Sequence, residues 1–121
     1  MRAGWDMKNG LYSIHVSLLD GNTGKGSGVI VFRDGVIRGG DAYLFYTGSY
    51  TVQNTTFRGE VIVNQHTPSK DVNPVFGGRT VSIGVTGKTT AEDHAEMEGT
   101  ALVGKQSLFF KATLRRLADV E

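Results

Sequence analysis

Gly10-Leu11-Tyr12-Ser13-Ile14, then Asp34-Gly35, then Val36-Ile37-Arg38-Gly39-Gly40-Asp41-Ala42-Tyr43 are the stretches that decide the fold. They read as strand, tight hairpin, strand and sharp corner. Asp34-Gly35 supplies the two positive-φ positions that a type I′ hairpin requires, which sets Phe32 opposite Ile37. Two consecutive glycines at 39 and 40 allow a corner or bulge that other residues resist. Nothing in this run carries the side chains of a catalytic centre.

Working outward, the same period of two recurs along the chain. Tyr12, Ile14, Val16 and Leu18 share one face of a first strand, with Ser13, His15 and Ser17 on the other. A break over Gly21 to Gly26 precedes a β-branched strand from Gly28 to Arg33. Leu44, Tyr46, Gly48 and Tyr50 alternate with Phe45, Thr47, Ser49 and Thr51, and a turn is expected at Gln53-Asn54. Phe57, Gly59, Val61 and Val63 then oppose Arg58, Glu60, Ile62 and Asn64. Both prolines, Pro68 and Pro74, fall in residues 67–78, which predicts the longest loop there. Val81, Ile83 and Val85 mark a further strand.

The last hairpin is the most sharply defined. Ala95, Met97, Gly99, Ala101 and Val103 oppose Glu96, Glu98 and Thr100, and Gly104-Lys105 fits a type II′ turn. That register puts Val103 opposite Gln106, Glu98 opposite Lys111 and Glu96 opposite Thr113, with Phe110, Ala112 and Leu114 facing the core. A solvent-side Glu98–Lys111 pair would add only about 0.2–1 kcal/mol. Residues 112–120 leave room for a terminal helical turn. The fold class is therefore all-β: an antiparallel up-and-down barrel of about eight strands, closed so that no edge is left exposed. One domain spans residues 1–121, since 121 residues at 39% hydrophobic content support one core.

Gly48, Gly59, Gly99, Ala95 and Ala101 all fall on inward positions and bring little side-chain volume. Two readings of the interior follow. Tyr12, Phe32, Tyr46, Tyr50, Phe57, Met97 and Phe110 either fill it or line a cavity that accepts an apolar ligand. On the outer faces, Ile62, Leu102 and Phe109 stand among polar residues and are candidates for a partner or dimer surface.

Motifs that resemble chemistry do not hold together. Gly99 to Gln106 falls one residue short of a phosphate-binding loop, and it reads as strand, turn, strand, where such a loop needs a helix N-terminus. His94, Glu96 and Glu98 share a strand face at spacing two, the ordinary pattern of a solvated face. Lys111, Arg115 and Arg116 make a small basic patch at a strand end, and Asn54-Thr55-Thr56 reads as a turn. No catalytic residue, metal site or cofactor is expected, and a metal-dependent enzyme ranks third among the functions considered. Thirteen basic against twelve acidic residues give a net charge of +1, so no direct nucleic-acid or membrane partner is expected. The chain has no cysteine and no apolar N-terminal stretch, from which a cytoplasmic location is expected.

Gly10 to Ile14, the Asp34-Gly35 hairpin, Ile37-Arg38-Gly39-Gly40-Asp41 and Tyr46-Thr47-Gly48-Ser49-Tyr50 occur in the order and spacing of the GrlR-like family, which this chain resembles up to about Phe57. The best-known branch of that family represses bacterial type III secretion genes by capturing a transcriptional activator. The resemblance implies a lipocalin-like barrel, a homodimer, a non-enzymatic regulatory role through protein binding, and an interior able to accept an apolar molecule. Met7-Lys8-Asn9-Gly10 looks like the start of family members, which implies that Met1 to Asp6 are an extension and Trp5 peripheral; in the domain division, residues 1–8 are set apart as an N-terminal extension ahead of the first strand. The family's regulatory branch carries an acidic loop where this chain has Val52-Gln53-Asn54-Thr55, with no acid. The leading expectation is a negative regulator that binds a protein partner such as a transcriptional activator. The alternative is a carrier or sensor of a small lipid-like molecule.

Overall fold

A computed structural model describes residues 6–18, 25–68, 80–103 and 105–120. All its regular elements are strands: β1 (Gly10–Leu18), β2 (Lys25–Arg33), β3 (Val36–Gly40), β4 (Leu44–Gln53), β5 (Thr56–Gln65), β6 (Val81–Ala91), β7 (His94–Val103) and β8 (Gln106–Ala118). Each strand pairs antiparallel with the next, and β8 pairs with β1, giving a closed eight-stranded up-and-down barrel. Closure gives every strand a paired neighbour on both sides and leaves the sheet without a free edge strand.

The turns set the register. Asp34 and Gly35 take φ values of 49° and 86°, the pair of left-handed positions that a two-residue I′ turn needs, and Phe32 faces Ile37 across it. Asn9 secures this turn from outside: its Oδ1 accepts the Asp34 amide at 3.1 Å and its Nδ2 donates to Asp34 Oδ1 at 2.9 Å. Val103 faces Gln106, Glu98 faces Lys111 and Glu96 faces Thr113, as the spacing requires. Among the described residues, no ion pair closes between Glu98 and Lys111. Gly104, the first residue of the expected II′ turn, lies outside the described residues.

Several boundaries differ from the sequence reading. β2 begins at Lys25, because Gly26 and Lys25 continue the ladder opposite Val16 and Ser17. The turn after β4 is Asn54-Thr55, one residue later than expected, with Gln53 paired to Thr56 and Asn54 at φ 58°. Asparagine tolerates that conformation better than glutamine. Residues 112–118 do not form a helical turn; they stay in β8 because Leu11 to Val16 of β1 pair with them and close the barrel. β6 continues to Ala91 and turns at Glu92-Asp93, a hairpin that the glycine-rich sequence does not announce. Met7, inside the stretch set apart as an extension, is buried with the core. Thr67 and Pro68 are described, and 69–78 of the expected long loop lie outside the described residues.

Inward residues divide the interior into two ends. At the end holding the chain's approach to β1, Phe32 is fully buried and meets Tyr12, Tyr50 and Phe57 edge-on, at ring separations of 5.5, 5.1 and 5.6 Å. Ile30, Ile37 and Leu114 complete the least accessible layer. The inward glycines do not leave empty space. A Cβ on Gly48 would lie 2.1 Å from the Glu60 carbonyl oxygen and one on Gly59 2.1 Å from that of Ser49, so here the missing side chains let adjacent strands approach. Gly87 and Gly99 are covered instead by the rings of Phe57 and Phe110.

Candidate functional site

Beyond the aromatic end, a cavity of about 70 Å³ opens toward the corner between β3 and β4. Of the seven aromatic and methionine residues assigned to the interior, Tyr46, Met97 and Phe110 line it. Tyr12, Phe32, Tyr50 and Phe57 do not: they form the plug that closes the opposite end. The aliphatic walls come from alternating residues of the strands, among them Ile14, Ile30, Val63, Ile83 and Val85. The alternation of apolar residues along these strands is the signal that could have placed them on the cavity.

Among the described residues Asp41 is the one ionisable carboxylate in this lining, and the sequence reading assigns it only a corner. Its Oδ1 accepts the amides of Tyr43 at 2.8 Å and Leu44 at 2.7 Å, while its own amide donates to the Leu44 carbonyl at 2.9 Å. The corner is thus built by an Asx turn. Neither Gly39 nor Gly40 has positive φ; glycine is required because a Cβ at 39 would lie 2.4 Å from the Val29 carbonyl and one at 40 would lie 2.6 Å from that of Leu44. Asp41 Oδ2 accepts the Tyr46 hydroxyl at 3.2 Å. Burial, reinforced by the Asp41 negative charge and this hydrogen bond, pushes the Tyr46 phenol well above its ordinary value of 10.0. From the end of β5, His66 Nε2 lies 3.0 Å from the Asp41 carbonyl, an acceptor only, so that nitrogen donates. The amides of His66 and Thr67 both reach the Tyr43 carbonyl.

The outer wall carries the other candidates. Ile62, Leu102 and Phe109 are exposed by 36%, 67% and 51%, which leaves all three free to meet a partner. Leu102 faces Ser107 and Phe109 faces Thr100, so the two stand diagonally adjacent across the β7–β8 pair, whereas Ile62 lies on β5 between Thr47 and Ser82. A second apolar site emerges from the register. Val29 faces Gly40, and Gly40 faces Phe45, so two exposed side chains flank a position without one. A larger concavity of about 710 Å³ lies across β4 to β8, lined by Arg58, Lys88, Lys111, Glu96 and Glu98 among polar neighbours. It is open to solvent and mixes both charges, so size alone does not make it a site for an ion of either sign. Among the described residues no three His, Asp or Glu side chains converge for a metal ion. Gly99 to Val103 end β7 and Gln106 begins β8, so the described residues of this stretch offer no helix N-terminus to a phosphate.

The fold and these surfaces define an up-and-down β-barrel with an apolar interior and apolar residues on its outer wall, the lipocalin-like architecture. No family model matches the chain, and none of the curated proteins matches it.

Proposed function

We propose that this barrel is a non-enzymatic regulatory binding protein that engages another protein through its outer wall, in the manner of the GrlR-like negative regulators it resembles. A transcriptional activator is the proposed partner and the cytoplasm the proposed place. The observation that carries the reading is the pairing of exposed Val29 and Phe45 around Gly40, with Leu102 and Phe109 exposed on a separate face. Exposed apolar side chains grouped in this way suit a contact surface that a partner would cover. The acidic loop of the regulatory branch is replaced by the β4–β5 hairpin, Val52-Gln53-Asn54-Thr55, so contact is assigned to the apolar faces instead. Affinity capture from an extract of the source cells tests this: a defined protein is retained. Recovery of the barrel alone would overturn the reading. Homodimerisation belongs to the same proposal, and light scattering that gives a monomer at high concentration would remove it.

A second reading, favoured by the 70 Å³ apolar cavity, is that the barrel carries or senses a small apolar molecule. The cavity's own volume limits the size of that molecule, since an apolar cavity of about 150 Å³ is the scale that holds a benzene ring. A long acyl chain does not fit without displacing the rim formed by Leu44 and Tyr46. Native mass spectrometry of the gently purified protein is expected to show a low-mass adduct, and its absence from all preparations would count against the carrier role.

A further inference from the structure

We propose that the interior cavity is a binding site for a short alkylammonium ion, its apolar tail among the aliphatic walls and its charged head on the Asp41 carboxylate. This rests on the second reading above and names its ligand class. Three observations converge on it. The walls are aliphatic or aromatic, with Asp41 as the single ionisable carboxylate at the cavity among the described residues. Oδ1 of that carboxylate is committed to two backbone amides, whereas Oδ2 accepts only the Tyr46 hydroxyl and keeps acceptor capacity. Among the described residues, no lysine or arginine forms an ion pair with Asp41. A negative charge at the mouth of an apolar cavity, with no lysine or arginine of the described residues paired to it, selects an ammonium over a neutral or anionic head, because charge-assisted hydrogen bonds are about twice as strong as neutral ones.

The volume sets the tail. At the scale on which about 150 Å³ holds a six-carbon ring, 70 Å³ holds about three carbons. Propylammonium is therefore the probe, with propanol and propionate as its neutral and anionic counterparts.

The test is a titration of the full chain with each probe at equal ionic strength, followed through the methyl NMR signals of Ile14, Ile83 and Val85. Propylammonium is expected to shift these signals and saturate at a concentration at least about tenfold below that needed for propanol, with no response to propionate. Asp41→Asn keeps an oxygen for the Tyr43 and Leu44 amides, so the corner stays closed while the charge is lost. In that variant the preference for propylammonium is expected to vanish and the propanol response to remain. Equal affinity for propanol and propylammonium, or a preference that survives Asp41→Asn, would overturn the inference and leave the interior-ligand reading standing. If none of the three probes moves the cavity methyls, the interior-ligand reading itself fails and takes this inference with it.

Discussion

The ring of Phe110 lies over Gly99, directly across the β7–β8 pair, so closely that a Cβ on the glycine would come 2.5 Å from Phe110 Cζ. The aromatic side chain occupies the volume that the glycine leaves open, and the same relationship holds between Phe57 and Gly87. Gly99→Ala is therefore expected to destabilise the barrel by about 1–3 kcal/mol through overpacking. Combined with Phe110→Leu, the loss should be smaller than the sum of the two single changes, as contacting residues couple. Urea unfolding of the four proteins of the cycle measures this.

Two other glycines separate backbone approach from bare exposure. A Cβ on Gly48 would meet the Glu60 carbonyl oxygen at 2.1 Å, an atom that cannot move without moving β5, whereas one on Gly84 meets nothing within 4 Å. Gly48→Ala is expected to abolish folding or cost several kcal/mol, beyond the ordinary range for overpacking. Gly84→Ala is expected to be neutral or to stabilise by about 0.4–1 kcal/mol, through lower entropy of the unfolded chain. Thermal unfolding monitored by circular dichroism distinguishes the two.

Asp41 holds the β3–β4 corner through two amides that have no other acceptor among the bonds seen there. Asp41→Ala is expected to cost about 1–3 kcal/mol, because it leaves the part-buried Leu44 amide without its acceptor and hands the exposed Tyr43 amide to water. Asp41→Asn, which keeps the acceptor, should cost much less. Chemical denaturation of both variants checks the ordering.

Tyr46 links stability to alkaline pH. Its phenol is raised above 10.0 in the folded barrel by burial and then by Asp41, so the unfolded chain releases that proton first as pH rises. The stabilisation is complete below the unfolded value and is lost progressively above about pH 10. Tyr12 and Tyr50 are shifted in the same direction, chiefly by burial, and add to the slope. Tyr46→Phe is expected to flatten, but not remove, the fall in unfolding free energy between about pH 9 and about pH 11.5. Phenolate absorbance recorded across that range tests it independently.

Much of this barrel was legible in the chain where alternation and turn chemistry agreed. Asp34-Gly35 admits one hairpin register, and counting back from Gly104-Lys105 places Glu98 opposite Lys111. The start of β2 was not legible, because Gly26 reads as a breaker when only its own propensity is considered, yet β1 offers it a ladder partner in Val16. The interior was half legible. Alternation identified the inward glycines, but a missing side chain can be replaced by empty volume, by a neighbouring backbone or by a ring, and only the three-dimensional packing distinguishes these. Asp41 escaped notice as a cavity group for a similar reason: its place depends on where the amides of Tyr43 and Leu44 lie.

The outer wall bears the central claim, and comparing the proteins retained from a cell extract by the native barrel and by Phe45→Glu/Leu102→Glu tests it most directly. Both substitutions sit on exposed positions, so the two barrels should unfold at closely similar temperatures. The account predicts a specific protein retained by the native barrel and lost by the double variant. The same retained proteins with both barrels, or none with either, would contradict it.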